Sequence, residues 1–321
     1  MPIPKFWEKN NILSLILTPL SFSYELLYKL RKILTKPTQL NIPVVCIGNI
    51  TVGGAGKTPT AMTVAKYFLS KGLNPHFLSR GYGRKLKGTI KVNHHHSSLM
   101  VGDEPILLSK IAPTWVCDNK LDGAKEAQKN GADVLIMDDG FQNPTIYKNL
   151  SFLVIDEGFG FGNNKIIPAG PLRERVSEAI SRADGIIVIK SPDGETKDFI
   201  NYCTKPTIYA NLIPSEESAL FEKTKITAFC GIGRPNKFYS SIQSIGAEIV
   251  SKHNFSDHHN YTPEELMEII EDSSFNQSTP VTTEKDWVRL PEEAKKMISY
   301  IKVDLVFTNS KTIYKMLDSI I

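Results

Sequence analysis

Cysteine is scarce. The chain of 321 residues holds four, Cys46, Cys117, Cys203 and Cys230, and no two form a C-x-x-C pair. That spacing excludes a disulfide framework and a clustered-thiolate zinc site. Three of the four sit in apolar, strand-like settings, as reduced core cysteines of a cytosolic protein do. Long apolar runs are also missing. Between residues 6 and 34 the longest clean run is Leu15-Ile16-Leu17, whereas a membrane-spanning helix wants about 20 mostly apolar residues. No small-residue cleavage site of signal-peptide type accompanies it. Charge of one sign is barely in surplus, with 38 basic and 34 acidic residues for a net +4. The first 40 residues account for that whole surplus, with Lys5, Lys9, Lys29, Arg31, Lys32 and Lys36 against Glu8 and Glu25. The balanced remainder argues against a nucleic-acid-binding face. No internal repeat or low-complexity tract is present.

The N-terminal segment, residues 1–36, is rich in Phe, Trp, Leu, Ile and Tyr but interrupted by Ser14, Thr18, Pro19, Ser21, Ser23, Glu25 and Lys29. The pattern predicts one or two amphipathic helices, broken near Pro19, lying in a membrane interface. Trp7, Tyr24 and Tyr28 suit the headgroup level and the Lys/Arg cluster suits anionic lipid. A helix packed on the protein's own core is the competing expectation. Lys36-Pro37-Thr38 marks the boundary.

From Asn41 the pattern alternates strand and helix. An apolar, β-branched segment, Ile42 to Ile50, runs into Thr51-Val52-Gly53-Gly54-Ala55-Gly56-Lys57-Thr58, and a helical pattern follows from Thr60 to Ser70. Strand, glycine-rich turn and helix is the context of a phosphate-binding loop. Glycines let backbone N–H groups approach an anion. Thr51 to Thr58 are therefore the candidate ATP-binding residues, with Lys57 reaching the β- and γ-phosphates and Thr58 ligating Mg²⁺. Thr51 replaces the first glycine of the strict pattern. The compact core looks like that of ParA-like ATPases, except that Val52 stands where those carry a second lysine. Ala132 to Gln142 reads as a buried strand ending in carboxylates, Asp138 and Asp139, as a Walker B element does.

Further helices are expected over Ile106–Ile111 and Leu121–Lys129, and strands over Asn74–Ser79, Thr114–Cys117, Ser151–Asp156, Gly185–Lys190 and Pro206–Leu212. The basic loop Arg80 to Lys85 reads equally as an anion or headgroup contact and as a solvated loop. His94-His95-His96 favours a polar surface turn over a metal site, because that spacing does not converge side chains. The long loop Glu157–Gly170 has the length of a functional loop. Arg173 and Arg175 suit either phosphate or an exposed helix start. A second β/α lobe begins near Lys223, with strands at Ile226–Cys230, Ala247–Val250, Pro280–Thr283 and Ile301–Val306. In its loop Asn254 to Tyr261, the adjacent Asp257 and His258 suit a proton relay or a plain surface turn.

Taken together, Gly48–Thr58, Ser79-Arg80-Gly81-Tyr82-Gly83, Gly102–Pro105, Asp138–Gln142, Ala169–Glu174, Gly231-Ile232-Gly233, Phe255–His258 and Thr283-Glu284-Lys285-Asp286 resemble the tetraacyldisaccharide 4′-kinases of lipid A synthesis. The resemblance implies an α/β fold: a P-loop NTPase-type parallel-sheet core lobe (37–205), a hinged two-stranded link (206–225), a smaller C-terminal α/β lobe (226–321) and the N-terminal membrane-interface helices (1–36). It implies transfer of the γ-phosphoryl group of ATP to the 4′-hydroxyl of a tetraacylated glucosamine disaccharide 1-phosphate, giving lipid IV-A at the cytoplasmic face of the inner membrane. By the same resemblance Asp103 is the base and His258 its partner from the other lobe. Thr58, Glu104, Asp138 and Asp139 are the candidate Mg²⁺ ligands, directly or through water. Two positions depart from the family: Asn143 stands where a histidine is usual, and Arg234 stands where many members carry Asn or Ser. The competing class is a membrane-associated ParA-like ATPase switch, against which stand Val52 and the absence of any reason there for Asp103 with His258.

Overall fold

The computed structural model describes residues 4–191 and 205–321, so Cys203 lies outside the described residues. Continuous apolar runs of β-branched residues become strands buried on both faces. The core sheet contains β1 (Val44–Gly48), β2 (Pro75–Ser79), β3 (Ile90–Lys91), β4 (Thr114–Val116), β5 (Val134–Asp138), β6 (Leu150–Asp156), β7 (Gly185–Ile189), β8 (Thr207–Pro214) and, far along the chain, β13 (Val303–Phe307). Their order is β13-β8-β7-β6-β1-β5-β2-β4-β3. The interior strands are parallel, and only β3 and β13 run antiparallel to their neighbours. β1 lies between β5 and β6, where the strand order reverses, so the loops after these three strands meet in one crevice.

Helix Lys57–Ser70 covers one face of this sheet through Ala61, Val64, Ala65 and Phe68, all fully buried. Their i, i+3, i+4, i+7 spacing is that of a helix with one apolar face. The second sheet is parallel throughout and ordered β10-β9-β11-β12: Glu248–Asn254, Lys225–Cys230, Thr279–Thr283 and Ser299–Ile301. Phe229, Leu266 and Ile269 on one side, and Phe238, Tyr239 and Ile242 on the other, form its core.

The run Ile301–Val306, expected as one strand of the second lobe, is divided. Ile301 ends β12 in the small sheet, and β13 starts at Val303 in the core sheet, paired with β8 from Val303↔Pro214 to Phe307↔Ala210. The chain turns at Lys302, whose carbonyl accepts the Ser215 N–H at 2.9 Å and the Ser218 hydroxyl at 3.1 Å. Leu305, Phe307, Ile313 and Leu317 then pack in the core-lobe interior. Two extended passes, β8 outward and β13 back, thus connect the lobes.

The N-terminal helices are Ile12–Ile16 and Thr18–Leu34, with Pro19 in the first turn of the second, where its missing N–H costs nothing. The longer helix is inside out. Ser21 and Glu25 face the protein and are buried, whereas Phe22, Leu27, Ile33 and Leu34 are 61%, 68%, 79% and 82% exposed. The Ser21 hydroxyl donates to the Ile166 carbonyl at 2.7 Å, and Arg175 donates to Glu25 at 3.0 Å. The long loop 157–170 is the seat for this segment: Trp7 donates to the Pro168 carbonyl at 3.0 Å, and Lys165 donates to the Thr18 hydroxyl at 3.1 Å. No described helix is long and apolar enough to cross a membrane.

Candidate active site

Gly56 caps the N-terminus of helix Lys57–Ser70 at φ 81, and a Cβ there would strike Ile189. Only glycine meets both demands. The loop 51–56 is fixed from the side, since the Val52 N–H donates to the Pro171 carbonyl at 2.9 Å. At its end Lys57 donates to the buried Asn49 at 3.2 Å and stands 3.8 Å from Asp139. The Thr58 hydroxyl donates to Asp138 Oδ2 at 3.1 Å.

Asp138 and Asp139, adjacent in sequence, sit in opposite environments. Asp138 is buried, and burial pushes its carboxyl up to about 6, with Lys57 opposing and Asp139 and Glu104 reinforcing the rise. Its Oδ1 has no hydrogen-bond partner among the described residues. Burial also works against ionising Asp139, but Lys57, Arg173 and Lys120 outweigh it and hold that carboxyl down at about 2. Asp139 takes two hydrogen bonds from Arg173, at 3.0 and 3.1 Å. Arg173 thus ties the loop after β6 to the end of β5. Gln142 continues that tie, donating to Glu174 at 3.0 Å, and Arg182 grips the same Glu174 at 3.1 Å.

Asp103 opens helix Asp103–Ser109 after Gly102, whose φ of 96 and contact with the Gly81–Tyr82 backbone leave no room for a side chain. The close approach sets the loop 80–83 beside Asp103. Asp103 Oδ2 accepts hydrogen bonds from His258 Nδ1 and Arg289 Nε, each at 2.8 Å, and Arg289 Nη2 lies at ion-pair distance, also 2.8 Å. Both residues come from the second lobe. Burial raises the Asp103 carboxyl, but the His258 hydrogen bond and the Arg289 charge hold it below the ordinary carboxylate value. Lys285 stands 3.1 Å from His258 Nε2 and 3.0 Å from Glu104. An ammonium only donates, so Nε2 accepts and the ring proton sits on Nδ1, aimed at Asp103. The Tyr82 ring lies 5.3 Å from the imidazole. Asp103, Glu104 and His258 are close enough to hold a metal ion. Lys285 and Arg289 pair with the carboxylates of that cluster, Lys285 with Glu104 at 3.0 Å and Arg289 with Asp103 at 2.8 Å.

Arg289 is anchored in turn on Asp286, 3.0 Å away and fully buried, which also accepts from the Gly231 N–H at 3.1 Å and the Tyr261 hydroxyl at 3.0 Å. The sequence reading missed Arg289 and gave Lys285 no role. Their local signal is weak because both partners lie about 180 residues earlier in the chain. The reading also missed the second inter-lobe junction, in which Asp156 at the end of β6 is paired with Arg234 at 2.8 Å and Lys237 at 2.6 Å. Elsewhere, Asn143 caps its own turn by accepting from Thr145 at 3.1 and 3.0 Å, and His94 and His95 form an exposed turn. Arg84 is tied to Asp118 at 2.6 Å, whereas Arg80 and Tyr82 are exposed at the crevice mouth. Cys46, Cys117 and Cys230 are buried free thiols, and burial raises all three.

Residues 13–321 match the family model described as "Tetraacyldisaccharide-1-P 4'-kinase". A curated tetraacyldisaccharide 4′-kinase of Rhodospirillum rubrum is 40% identical over 325 residues, covering 100% of this chain and 98% of the relative. That of Paramagnetospirillum magneticum is 40% identical over 308 residues, covering 95% and 94%. Among solved structures, LpxK from Aquifex aeolicus in complex with ATP superposes with a TM-score of 0.78 at 26% identity, covering 96% of this chain and 99% of that one.

Proposed function

We propose a residue-level mechanism for this chain, which belongs to the tetraacyldisaccharide 4′-kinase family. It is an ATP-dependent kinase of lipid A synthesis, transferring the γ-phosphoryl group of ATP to the 4′-hydroxyl of a tetraacyldisaccharide 1-phosphate. The observation that carries the mechanism is the 2.8 Å contact between Asp103 and His258, made across two lobes beside the P-loop.

Phosphoryl transfer is mainly positioning and charge stabilisation. The loop amides from Gly53 to Gly56 cradle the triphosphate, with Val52 bonded to Pro171 to hold the loop in place, and Lys57 leaves Asn49 and Asp139 to meet the β- and γ-oxygens. Among the described residues, the donors to Asp103 all take Oδ2, which leaves Oδ1 for the acceptor hydroxyl. Asp103 accepts the proton as the new P–O bond forms. His258 and Arg289 keep the carboxylate ionised and aimed, and Lys285 holds His258 in the required tautomer. Because the base is on one lobe and its partners on the other, closure completes the site and shuts out water.

The corner formed by Thr58 and Asp138 fits Mg²⁺: a hydroxyl beside a buried carboxylate whose second oxygen has no partner among the described residues. Glu104 and Asp139 suit contacts through water, since each is already ion-paired, with Lys285 and Arg173 respectively. Held there, the metal would supply positive charge to neutralise the charge that develops on the phosphates during transfer. The outward apolar face of helix Thr18–Leu34, with Arg31 and Lys32 in its last turn, suits docking on the cytoplasmic surface of the inner membrane, where an acylated substrate resides. The direct test mixes the protein with γ-labelled ATP and a detergent-dispersed tetraacyldisaccharide 1-phosphate. Label is expected on the lipid, and release of free phosphate alone would overturn the assignment.

A further inference from the structure

The second lobe carries its own strand, glycine turn and helix. β9 ends at Cys230, Gly231-Ile232-Gly233 follows, and helix Pro235–Ser244 begins after Arg234. This turn faces the P-loop. A Cβ built on Gly233 would stand 4.0 Å from the Gly54 amide nitrogen. The cavity between them is lined by residues 51–55, Asp156, Phe159, Gly233 and Arg234. Arg234 is fixed there on two sides: Nη1 lies 2.8 Å from Asp156, and its guanidinium lies over the Phe159 ring, 4.7 Å from the centroid. Asp156, only 4% exposed, gives its other oxygen to Lys237 at 2.6 Å, so Arg234 does not neutralise it alone.

We propose that Arg234 is a phosphate-contacting residue, delivered by lobe closure to the terminal phosphate of the nucleotide in the P-loop. The proposal rests on the nucleotide-site reading above and extends it to a group outside the P-loop. A guanidinium carries five N–H donors in a rigid fork and holds a carboxylate and a phosphate together. The position of the turn selects the phosphate. Its Gly231 end is bonded to the dyad network: the His258 N–H donates to the Gly231 carbonyl at 3.1 Å, and the Gly231 N–H donates to Asp286 at 3.1 Å. The turn thus runs from the dyad at Gly231 to the P-loop at Gly233 and Arg234, so closure that assembles the dyad also brings Arg234 to the nucleotide's terminal phosphate. Asp156 and Lys237 are positioning residues, whose pairing orders the arginine as the lobes close. A cation supplied this way stabilises charge that builds on the γ-oxygens.

The test compares equilibrium binding of MgATP and MgADP to the full chain, by titration calorimetry, for the wild type and Arg234→Gln. Losing one charged contact to the γ-phosphate should weaken MgATP about tenfold or more and leave MgADP nearly unchanged, so the preference for ATP collapses. Turnover should fall about 10²-fold, and Arg234→Lys should restore part of the MgATP affinity. Equal weakening of MgATP and MgADP would show a purely structural latch and overturn the proposal. So would unaltered selectivity in a folded glutamine variant. A wild-type chain with no preference for MgATP over MgADP, and no transfer of label to lipid, would sink the nucleotide-site reading itself.

Discussion

Asp138 and Asp139 differ by one position and are driven in opposite directions, which makes them separable by pH. The Asp138 carboxyl titrates near 6 in the folded chain, above its unfolded value of 3.8. Between those values the native state binds more protons than the unfolded state, so this group makes stability fall as pH rises from about 4 to about 6. Asp138→Asn removes a burial cost on the order of 2–3 kcal/mol at pH 7.5. In nucleotide-free protein the variant should melt several degrees higher than wild type at pH 7.5 and at the same temperature near pH 4, while transferring no phosphate. Equal melting at both pH values would mean that the carboxylate is stabilised by more than Thr58 and Lys57. Asp139 has the opposite sign: held near 2 by Lys57 and Arg173, it contributes stability above about 4 that is lost as pH falls through 2. Its side chain is partly exposed, so solvent screens much of that contribution. The dyad offers a second residue-level test. Asp103 and His258 share one hydrogen bond, and groups that act as a unit are non-additive on mutation. Asp103→Ala and His258→Ala should each lower kcat about 10²-fold or more, with the double variant little worse than the poorer single one. Multiplying losses would assign His258 to the substrate instead.

At the scale of elements, the inverted N-terminal helix makes the clearest prediction. Its inward contacts are polar and its outward face is apolar, so outward substitutions leave the fold alone. Leu27→Asp with Ile33→Asp should abolish sedimentation with anionic vesicles and leave MgATP binding intact. Retained vesicle binding would move the membrane contact elsewhere. Which elements were legible in the sequence follows from how local their causes are. The P-loop, the strand before it and the helix after it are specified by contiguous residues, because φ, backbone approach and helix start are local properties. The same holds for β5 and its terminal carboxylates. The division of Ile301–Val306 was not legible: an alternating apolar run reads as one strand, and only the distant partners of Lys302, Ser215 and Ser218, turn it from one sheet to the other. The outward face of the N-terminal helix was left open between membrane and core for the same reason. Amphipathicity shows that a helix has two faces but not which one the protein takes.

For the whole molecule, the two lobes meet through charge. One junction is Asp156 with Arg234 and Lys237, another is Asp103 and Glu104 with His258, Arg289 and Lys285, and a further ion pair joins Lys110 to Glu284 at 2.8 Å. Such contacts let the lobes separate into water at small cost, as a cycle of closing and opening requires, whereas a broad apolar seam would hold them shut. Arg289 does two jobs in this arrangement, and they can be pulled apart. It is 4% exposed, and it serves Asp103 on the opposite lobe and Asp286 within its own. Arg289→Leu strands the Asp286 carboxylate in the interior, at a cost of about 3–5 kcal/mol. A lower melting temperature and lost activity in that variant would therefore say nothing about catalysis by themselves. Adding Asp286→Asn removes the stranded charge while keeping donors for the new amide oxygen in the Gly231 N–H and the Tyr261 hydroxyl. The double variant should recover most of the melting temperature and none of the kcat, with MgATP affinity near wild type because neither residue touches the phosphate loop. Recovery of kcat together with stability would make Arg289 a scaffold for the second lobe, and the alignment of Asp103 would then rest on His258 alone.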